Sequence, residues 1–317
     1  MSKTRVLITG ATGFVGRHLM DLLPATEFKV FGTTYPQPPL PSEKNLFFID
    51  LRSERDVYDV MKNARPQWIF HLAAVSNVRH SWEKRRETME TNVMGTFYLF
   101  EAVKKFAPDA RILFVSSSDI YGTPSGGESL GRKVFREDAP FQLTSPYALS
   151  KVGGELLAGF YNRIEGLDIV IARPFSHTGP GQSSDFVCSD WARQIIQIER
   201  GACPPVIRVG NLDVERDFTD VRDTVRAYVL LLRKGRKAKV YNICRGEPVS
   251  LRRIIETYVS LCSKTVTIEQ DPLRLRKVDI PFLAGDNERL KKETGWSPEI
   301  PLERTLRDLL DYWRARP

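Results

Sequence analysis

VLITGATGFVG, residues 6–16, carries a short apolar run into a turn with three glycines. The run predicts a buried strand, and the apolar spacing that follows predicts a helix. Gly10 allows a tight turn, Gly13 lets a ligand approach the main chain, and Gly16 allows the helix to pack closely on the strand. The N–H groups that begin this helix would face an anion, and a nucleotide phosphate is the expected one. This glycine spacing is a weak motif by itself, and a turn that binds nothing is the alternative.

Apolar runs and amphipathic stretches alternate from residue 5 to about residue 173. Predicted strands cover residues 29–33, 46–49, 68–72, 112–116 and 169–173, and predicted helices cover residues 53–64, 88–107 and 148–165. Ser53 and Asp56 resemble a capping box at the first of these helices. Such alternation requires crossover connections, so we predict an α/β fold with a doubly wound parallel sheet over residues 1–174. Ligands would bind at the carboxyl ends of its strands, as in a dinucleotide-binding Rossmann domain.

The alternation of predicted strands and helices becomes less regular after residue 174. Predicted helices cover residues 190–200, 221–233, 250–262 and 302–313, and predicted strands cover residues 206–209, 240–243 and 266–268. This pattern is too broken for a second doubly wound sheet. We therefore predict a smaller mixed α/β lobe over residues 175–317 that binds substrate, with room for the chain to cross back into the first domain.

Composition narrows the class of protein. The 317 residues carry a formal net charge of +8, spread in short groups without aromatic interleaving, which favours a small anionic ligand over nucleic acid. Four cysteines without a C-x-x-C pair and four scattered histidines argue against a disulfide framework and a metal site. With no apolar run of membrane-spanning length and no room for a signal peptide before the first strand, we expect a cytoplasmic protein that contacts no membrane.

Tyr147 and Lys151 form the second informative pair. They are four residues apart in a helix predicted to begin near Ser145, so both side chains lie on one face. An adjacent ammonium favours the phenolate, which would let the hydroxyl exchange protons near neutral pH. Such a pair occurs by chance on many helices. The pair is informative here because residues 116–118, three serines, end the preceding strand at the edge where a ligand would bind.

Taken together, the motifs resemble those of the extended short-chain dehydrogenase/reductases that act on nucleotide sugars. The motifs are Gly10-x-x-Gly13-x-x-Gly16, His71-Leu72-Ala73-Ala74, Asn92, Ser116-Ser117-Ser118-Asp119-Ile120-Tyr121-Gly122, Tyr147-x-x-x-Lys151 and Arg173-Pro174-Phe175. The segments around His177 to Gln182, Asp185 to Val187, Val209 to Leu212 and Arg216 to Val221 most resemble those of the GDP-6-deoxy-4-keto-mannose reductases, relatives of the GDP-mannose 4,6-dehydratases. This resemblance covers nearly the whole chain.

The resemblance implies roles for particular residues. Tyr147 would donate a proton to the sugar O4, Lys151 would hold the nicotinamide ribose and lower the pKa of Tyr147, and Ser117 would polarise the keto oxygen. The implied cofactor-binding residues are Gly10, Thr12, Gly13, Phe14, Val15, Gly16, Asp50, Leu51, Leu72, Ala73, Ala74, Asn92, Tyr147, Lys151, Pro174 and His177. The implied substrate-binding residues are Ser118, Ser176, Val187, Asn211, Arg216, Arg276 and Asp279. The resemblance also implies a homodimer that pairs the helices of residues 88–107 and 148–165 with their copies.

Two departures from the family pattern bear on the reaction. Asp119, the fourth implied catalytic residue, stands where related dehydratases carry a glutamate, and its shorter reach favours a reductase over a dehydratase. Residues 33–35 supply neither an acid for a ribose 2′-hydroxyl nor an arginine for a 2′-phosphate, so NADP(H) is expected with NAD(H) possible, and Arg17 or Lys44 would supply the counter-charge. Ser176 replaces a common asparagine, so the hydrogen bonds there must differ.

The resulting hypothesis is an NAD(P)H-dependent oxidoreductase. It would reduce GDP-4-dehydro-6-deoxy-D-mannose to GDP-D-rhamnose in deoxysugar biosynthesis. A dehydratase or epimerase that retains its cofactor is the alternative enzyme, and a cofactor-sensing protein without turnover is the alternative of another class.

Overall fold

The computed structural model describes residues 2–40, 42, 45–123, 132–275 and 279–316. Its strands are β1 (Thr4–Thr9), β2 (Phe28–Thr34), β3 (Leu46–Phe48), β4 (Trp68–His71), β5 (Arg111–Val115), β6 (Val134–Phe135), β7 (Asp168–Pro174), β8 (Ser176–Thr178), β9 (Val206–Val209), β10 (Glu215–Asp220), β11 (Val240–Ile243), β12 (Pro248–Ser250), β13 (Thr267–Gln270) and β14 (Phe282–Gly285). Its α-helices are α1 (Phe14–Leu22), α2 (Glu54–Ala64), α3 (Val78–Glu83), α4 (Arg85–Met89), α5 (Gly95–Phe106), α6 (Pro146–Arg163), α7 (Val187–Glu199), α8 (Val221–Lys234), α9 (Leu251–Leu261), α10 (Glu288–Thr294) and α11 (Leu302–Arg314).

A seven-stranded parallel sheet forms the centre of the molecule, in the order β11-β7-β5-β4-β1-β2-β3. Its strands are apolar on both faces, since helices cover both. One face packs on α2, α5 and α6, and the other packs on α1 and α8. The predicted doubly wound parallel sheet is confirmed, and the turn after β1 lies at the carboxyl edge of this sheet.

Capping side chains mark where the helices that border the site begin. The Ser53 side chain accepts a hydrogen bond from the Asp56 N–H at the start of α2, and the Ser145 side chain accepts one from the Ala148 N–H at the start of α6. The helix predicted over residues 88–107 is interrupted, because Glu90–Met94 forms a π-helical turn between α4 and α5. Such turns are often found at functional sites.

A second sheet of five strands lies beyond the carboxyl edge of the first. Its order is β12-β10-β14-β6, and β8 pairs with β10. The sequence prediction contained none of these five strands, because they are short or, like β10, rich in charged residues. The smaller lobe also has the two-stranded sheet β13-β9 and an apolar core among α7, α9 and α11.

The chain returns to the large sheet after entering the smaller lobe. β11 pairs in parallel with β7, with Tyr241 opposite Ala172, and α8 packs beside α1. The large sheet therefore takes one edge strand and one covering helix from residues beyond 174. The predicted boundary between two domains near residue 174 therefore remains a prediction.

Candidate active site

The glycine turn between β1 and α1 has the geometry of a ligand cradle. Gly10 has φ +71°, and a Cβ on it would lie 3.1 Å from the Ala73 nitrogen. A Cβ on Gly16 would lie 2.3 Å from the Gly10 carbonyl oxygen, so a larger residue cannot fit there. No acidic side chain lies in the first turn of α1, and no side chain caps it. These features fit a phosphate at the helix N-terminus.

Threonine hydroxyls tie this turn to the end of β2. Thr33 Oγ1 accepts from the Gly10 N–H at 3.1 Å, and Thr12 Oγ1 donates to Thr34 Oγ1 at 3.0 Å. Arg17 Nε donates to the Thr12 carbonyl at 2.9 Å, so this guanidinium lies beside the turn. Lys44, the other expected counter-charge, lies outside the described residues.

Next to β3, Asp50 faces a cavity of about 570 Å³. The cavity is lined by Asp50, Arg52, Ser53, Glu90, Met94 and Tyr98. Arg52 donates to both carboxylate oxygens of Asp50, at 2.6–3.0 Å, and these hydrogen bonds lower the pKa of that carboxyl. Leu51 points into the core and packs on Gly95. Of the two residues predicted to meet adenine, only Asp50 opens onto this cavity.

The turn after β4 holds Leu72, Ala73 and Ala74. The Leu72 and Ala73 N–H groups both donate to Thr9 Oγ1 at 3.1 Å. Asn92 is buried, and its amide bonds to the Val75 N–H and C=O and to Ser150 Oγ, at 2.8–3.0 Å. Protein groups therefore satisfy Asn92, which supports a structural role for it rather than direct contact with a cofactor.

Four predicted catalytic residues meet where β5 ends above α6. Ser117 Oγ donates to Asp119 Oδ2 at 3.2 Å, and both residues influence the pKa of the nearby Tyr147 hydroxyl. Lys151 is buried one turn along α6 from Tyr147, and its Nζ donates to the Val115 carbonyl at 2.8 Å. Ser118, an expected substrate contact, is buried in the 3₁₀ turn Ser118–Tyr121. The structure thus brings a hydroxyl pair, a carboxylate and an ammonium together.

The proton affinities here differ from the expectation that Lys151 lowers the pKa of Tyr147. Burial, followed by the negative charge of Asp119, raises the pKa of Tyr147 above its ordinary value of 10, and the nearby Ser117 hydroxyl opposes this only partly. Burial lowers the pKa of Lys151 to about 8, although the Glu155 carboxylate opposes the change. Tyr147 is therefore a protonated donor at neutral pH.

A basic limb in the pH profile follows from these values. Lys151 is charged below a pKa of about 8 and neutral above it, whereas Tyr147 keeps its proton throughout this range. If the chain reduces a carbonyl group, as its motifs imply, kcat/KM should fall as the pH rises through about 8, since this ratio reports groups of the free enzyme. Initial rates of NADPH oxidation between pH 6 and 10 measure the limb. A profile that stays flat to pH 10 would contradict this assignment.

Three predicted substrate residues form one network in the smaller lobe. Arg216, on β10, donates from Nη2 to Asp279 Oδ1 at 3.2 Å, and Asn211 Nδ2 donates to Asp279 Oδ2 at 3.3 Å. Arg216 Nη1 also donates to the Ile280 carbonyl at 2.6 Å. Arg276 lies outside the described residues. The network places a partly buried guanidinium and a carboxylate side by side.

The remaining predicted contacts border the two lobes. Ser176 and His177 lie on β8, which pairs with β10, and Val187 begins α7. The His177 ring stacks on Phe14 of the glycine turn, with ring centroids 6.1 Å apart, and its Nδ1 lies 3.0 Å from the Phe175 carbonyl. Pro174 ends β7. His177 thereby joins the smaller lobe to the start of α1.

Sequence reasoning gave no role to several polar groups at this edge. Ser116 Oγ and Thr219 Oγ1 are buried without a hydrogen-bond partner among the described residues. An unpartnered hydroxyl beside the Ser117–Tyr147 pair fits a polar ligand there. Together with the glycine cradle, it shows that the residues present fit a nicotinamide dinucleotide. The only signal for Ser116 in the sequence is its place in a serine run at a strand end.

Two kinds of feature are not found in the described part of the chain. It contains no group of three or more His, Cys, Asp or Glu side chains that could hold a metal ion. None of its helices is long and apolar enough to span a bilayer.

Residues 7–309 match the family model described as GDP-mannose 4,6 dehydratase. The chain belongs to this family. The resemblance seen in its motifs is thereby confirmed. The chain is 34% identical to the GDP-6-deoxy-D-mannose reductase of Pseudomonas aeruginosa over 312 residues, which cover 98% of each chain. It is 24% identical to the GDP-mannose 4,6-dehydratase of Vibrio cholerae over 358 aligned positions, covering 97% of this chain and 93% of that one.

Solved structures show the same relationship. The structure of RMD from Pseudomonas aeruginosa complexed with NADPH superimposes with a TM-score of 0.86 at 32% identity, over 99% of this chain and 100% of that one. The UDP-glucose 4-epimerase of Thermus thermophilus, in complex with NAD, gives a TM-score of 0.87 at 25% identity over the same shares. GDP-mannose 4,6-dehydratase family members and this epimerase therefore share the fold described above.

Proposed function

We propose that this chain reduces the 4-keto group of GDP-4-dehydro-6-deoxy-D-mannose to give GDP-D-rhamnose, with NADPH as the preferred reductant and NADH as a possible one. The observation that carries the proposal is the cluster of Ser117, Tyr147 and Lys151 at the carboxyl edge of the parallel sheet. The 34% identity to the Pseudomonas aeruginosa reductase supports the choice of reaction. The four cysteines are free, which suits the reducing cytoplasm where we place the enzyme.

The residues of the chain supply binding, polarisation and a proton. Bound NADPH supplies the hydride. Ser117 donates a hydrogen bond to the keto oxygen, which stabilises the negative charge that develops there. Tyr147, held protonated by burial and by Asp119, gives its proton to that oxygen. The charged Lys151 ammonium stabilises the tyrosinate that remains, and protonation from solvent restores Tyr147.

Asp119 supports a reductase over a dehydratase. A dehydratase needs a carboxylate that removes the C5 proton and assists loss of the C6 hydroxyl. The Asp119 carboxylate is one methylene shorter than the glutamate of related dehydratases, and it accepts a hydrogen bond from Ser117 at 3.2 Å. Ketone reduction needs no carboxylate base, and the Ser117 proton that Asp119 accepts would turn to the keto oxygen when the substrate binds.

The smaller lobe would hold the GDP part of the substrate. Arg216 presents a planar fork of N–H donors, which suits a diphosphate, and Arg276 would complete this contact. Asn211 and Asp279 would meet the nucleoside. Since Asp279 pairs with Arg216, we infer that the diphosphate competes with Asp279 for that guanidinium.

The end of β2 favours NADPH over NADH. Thr33 and Thr34 are neutral, so no carboxylate of β2 repels a 2′-phosphate. The nearby acid, Asp50, already has Arg52 as its partner. Arg17 lies over Thr12 and would supply the counter-charge.

We also infer a homodimer, as the family resemblance implies. Leu156 and Ile164 of the α6 region are 66% and 70% exposed, and Leu149 and Phe160 are about half exposed. A contiguous apolar stripe of this kind is typical of a contact surface. Sedimentation equilibrium should give twice the mass of the chain, and a monomer at micromolar concentration would contradict the dimer.

A direct absorbance assay of NADPH oxidation tests the reaction. The purified chain should oxidise added NADPH steadily when GDP-4-dehydro-6-deoxy-D-mannose is present, with one nucleotide oxidised per sugar reduced. GDP-mannose without added cofactor is the matched control, since a dehydratase with a retained cofactor would convert it. Turnover of GDP-mannose alone would reject the reductase in favour of a dehydratase, and absence of any turnover would favour a cofactor-sensing protein.

A further inference from the structure

His71 is a buried histidine whose two ring nitrogens both have partners. It ends β4 and is 3% exposed. Its Nδ1 lies 2.8 Å from Thr9 Oγ1, and its Nε2 lies 3.0 Å from Thr96 Oγ1. Thr9 ends β1 just before the glycine turn, and Thr96 lies just after the π-helical turn. His71 therefore connects the two elements that border the turn of residues 72–74.

The neighbouring hydrogen bonds fix the tautomer of His71. Thr96 Oγ1 donates its proton to the Asn92 carbonyl at 2.6 Å, so toward His71 it can only accept. Nε2 must then carry the ring proton and Nδ1 must be an acceptor. Burial, followed by the charge of Lys151, lowers the pKa of His71 to about 3, so the ring is neutral at physiological pH.

This tautomer sets the direction of the Thr9 hydroxyl. Thr9 Oγ1 gives its proton to Nδ1 and accepts from the Leu72 and Ala73 N–H groups at 3.1 Å each. All hydrogen-bonding capacity of that hydroxyl is then used. The same turn packs on Gly10, where a Cβ would meet the Ala73 nitrogen at 3.1 Å. A change in the Thr9 hydroxyl would thus move the turn against the cradle.

We propose that His71, as the neutral Nε2-protonated imidazole, is a positioning residue that orients the Thr9 hydroxyl and so fixes residues 72–74 where the cofactor binds. The proposal rests on the proposed function, because it assigns a role toward the dinucleotide. It makes His71 neither an acid nor a base in the reaction.

Matched substitutions at His71 distinguish the roles of its two ring nitrogens. In His71→Asn the amide can place its oxygen near Nδ1 and keep an acceptor for Thr9, whereas in His71→Gln the amide reaches toward Nε2 and this acceptor is lost. We expect His71→Gln and Thr9→Val to raise the NADPH dissociation constant about tenfold, in line with one lost hydrogen bond. His71→Asn and Thr9→Ser should stay within about threefold of the unsubstituted chain. NADPH fluorescence titration without sugar gives these constants.

A double-mutant cycle tests whether His71 acts through Thr9. Thr9→Val with His71→Gln should bind NADPH no more weakly than Thr9→Val alone, whereas additive losses would overturn the proposal. If the variants do not fold, ¹⁵N shifts of the histidine rings in the unsubstituted chain decide instead. A neutral ring protonated on Nε2 from pH 5 to 9 supports the proposal, and any other state overturns it. Unchanged NADPH binding by Thr9→Val overturns only this inference, whereas a chain that never binds NADPH overturns the proposed function too.

Discussion

Tyr147→Phe should lower kcat for NADPH oxidation by about 10²–10⁴-fold, the range found when a positioned proton donor is lost. The ring remains, and its buried contacts with it, so the fold should be kept. The hydroxyl that donates to the keto oxygen is removed, while Ser117 can still polarise that oxygen. Single-turnover absorbance of reduced nicotinamide measures the effect on the chemical step.

Two controls make this result specific to the proton. The NADPH dissociation constant of Tyr147→Phe should stay near that of the unsubstituted chain, as should its circular dichroism. Asp119→Asn removes the charge that raises the pKa of Tyr147 but leaves a group that can bond Ser117, and it should lower kcat much less. If Tyr147→Phe keeps more than about a tenth of the activity, another group donates the proton. If it keeps every measurable activity, the enzyme assignment fails.

The large sheet could be predicted because its signals are local. Each strand is an apolar run bounded by turns, and the alternation with helices requires parallel strands and crossovers. The second sheet could not be predicted this way. Its central strand, β10, has the polar sequence Glu-Arg-Asp-Phe-Thr-Asp, and its Asp217 is nevertheless buried. The Asp217 carboxylate tolerates burial because it accepts hydrogen bonds from the N–H groups of Arg245 and Gly246, at 2.8 and 2.9 Å. Those partners lie about thirty residues away, beyond the reach of a periodicity argument.

The candidate site, too, could be predicted only in part from the sequence. The glycine turn and the Tyr147–Lys151 spacing are visible in short stretches, and the structure brings Ser117, Asp119, Tyr147 and Lys151 together as the sequence predicts. Proton affinities depend on burial, which spacing does not report. The expected effect of Lys151 on Tyr147 was wrong for that reason, since desolvation and Asp119 dominate. The role of His71 likewise depends on partners from β1 and α5.

Arg173→Met should destabilise the fold by about 3–5 kcal/mol, the cost of leaving one charge of a buried pair without its partner. Arg173 Nε and Nη2 donate to the two carboxylate oxygens of Glu155 at 2.9 and 2.7 Å, and both side chains are about 95% buried. The pair fastens α6, which carries Tyr147 and Lys151, to β7. Urea unfolding followed by circular dichroism measures the change in the free energy of unfolding.

The double variant Glu155→Leu with Arg173→Met distinguishes charge from packing. Replacing a buried ion pair by apolar residues of similar size is often neutral, so the double variant should regain most of the stability that Arg173→Met loses. Recovery should be incomplete by about 1–3 kcal/mol, because Arg173 also donates to the Tyr121 hydroxyl and the Glu137 carbonyl, both at 2.9 Å. A double variant less stable than Arg173→Met would contradict this explanation, because removing the unpaired Glu155 carboxylate should relieve the loss. The expected order would mean that the loss in Arg173→Met comes mainly from the unpaired Glu155 carboxylate on α6, the helix that carries Tyr147 and Lys151.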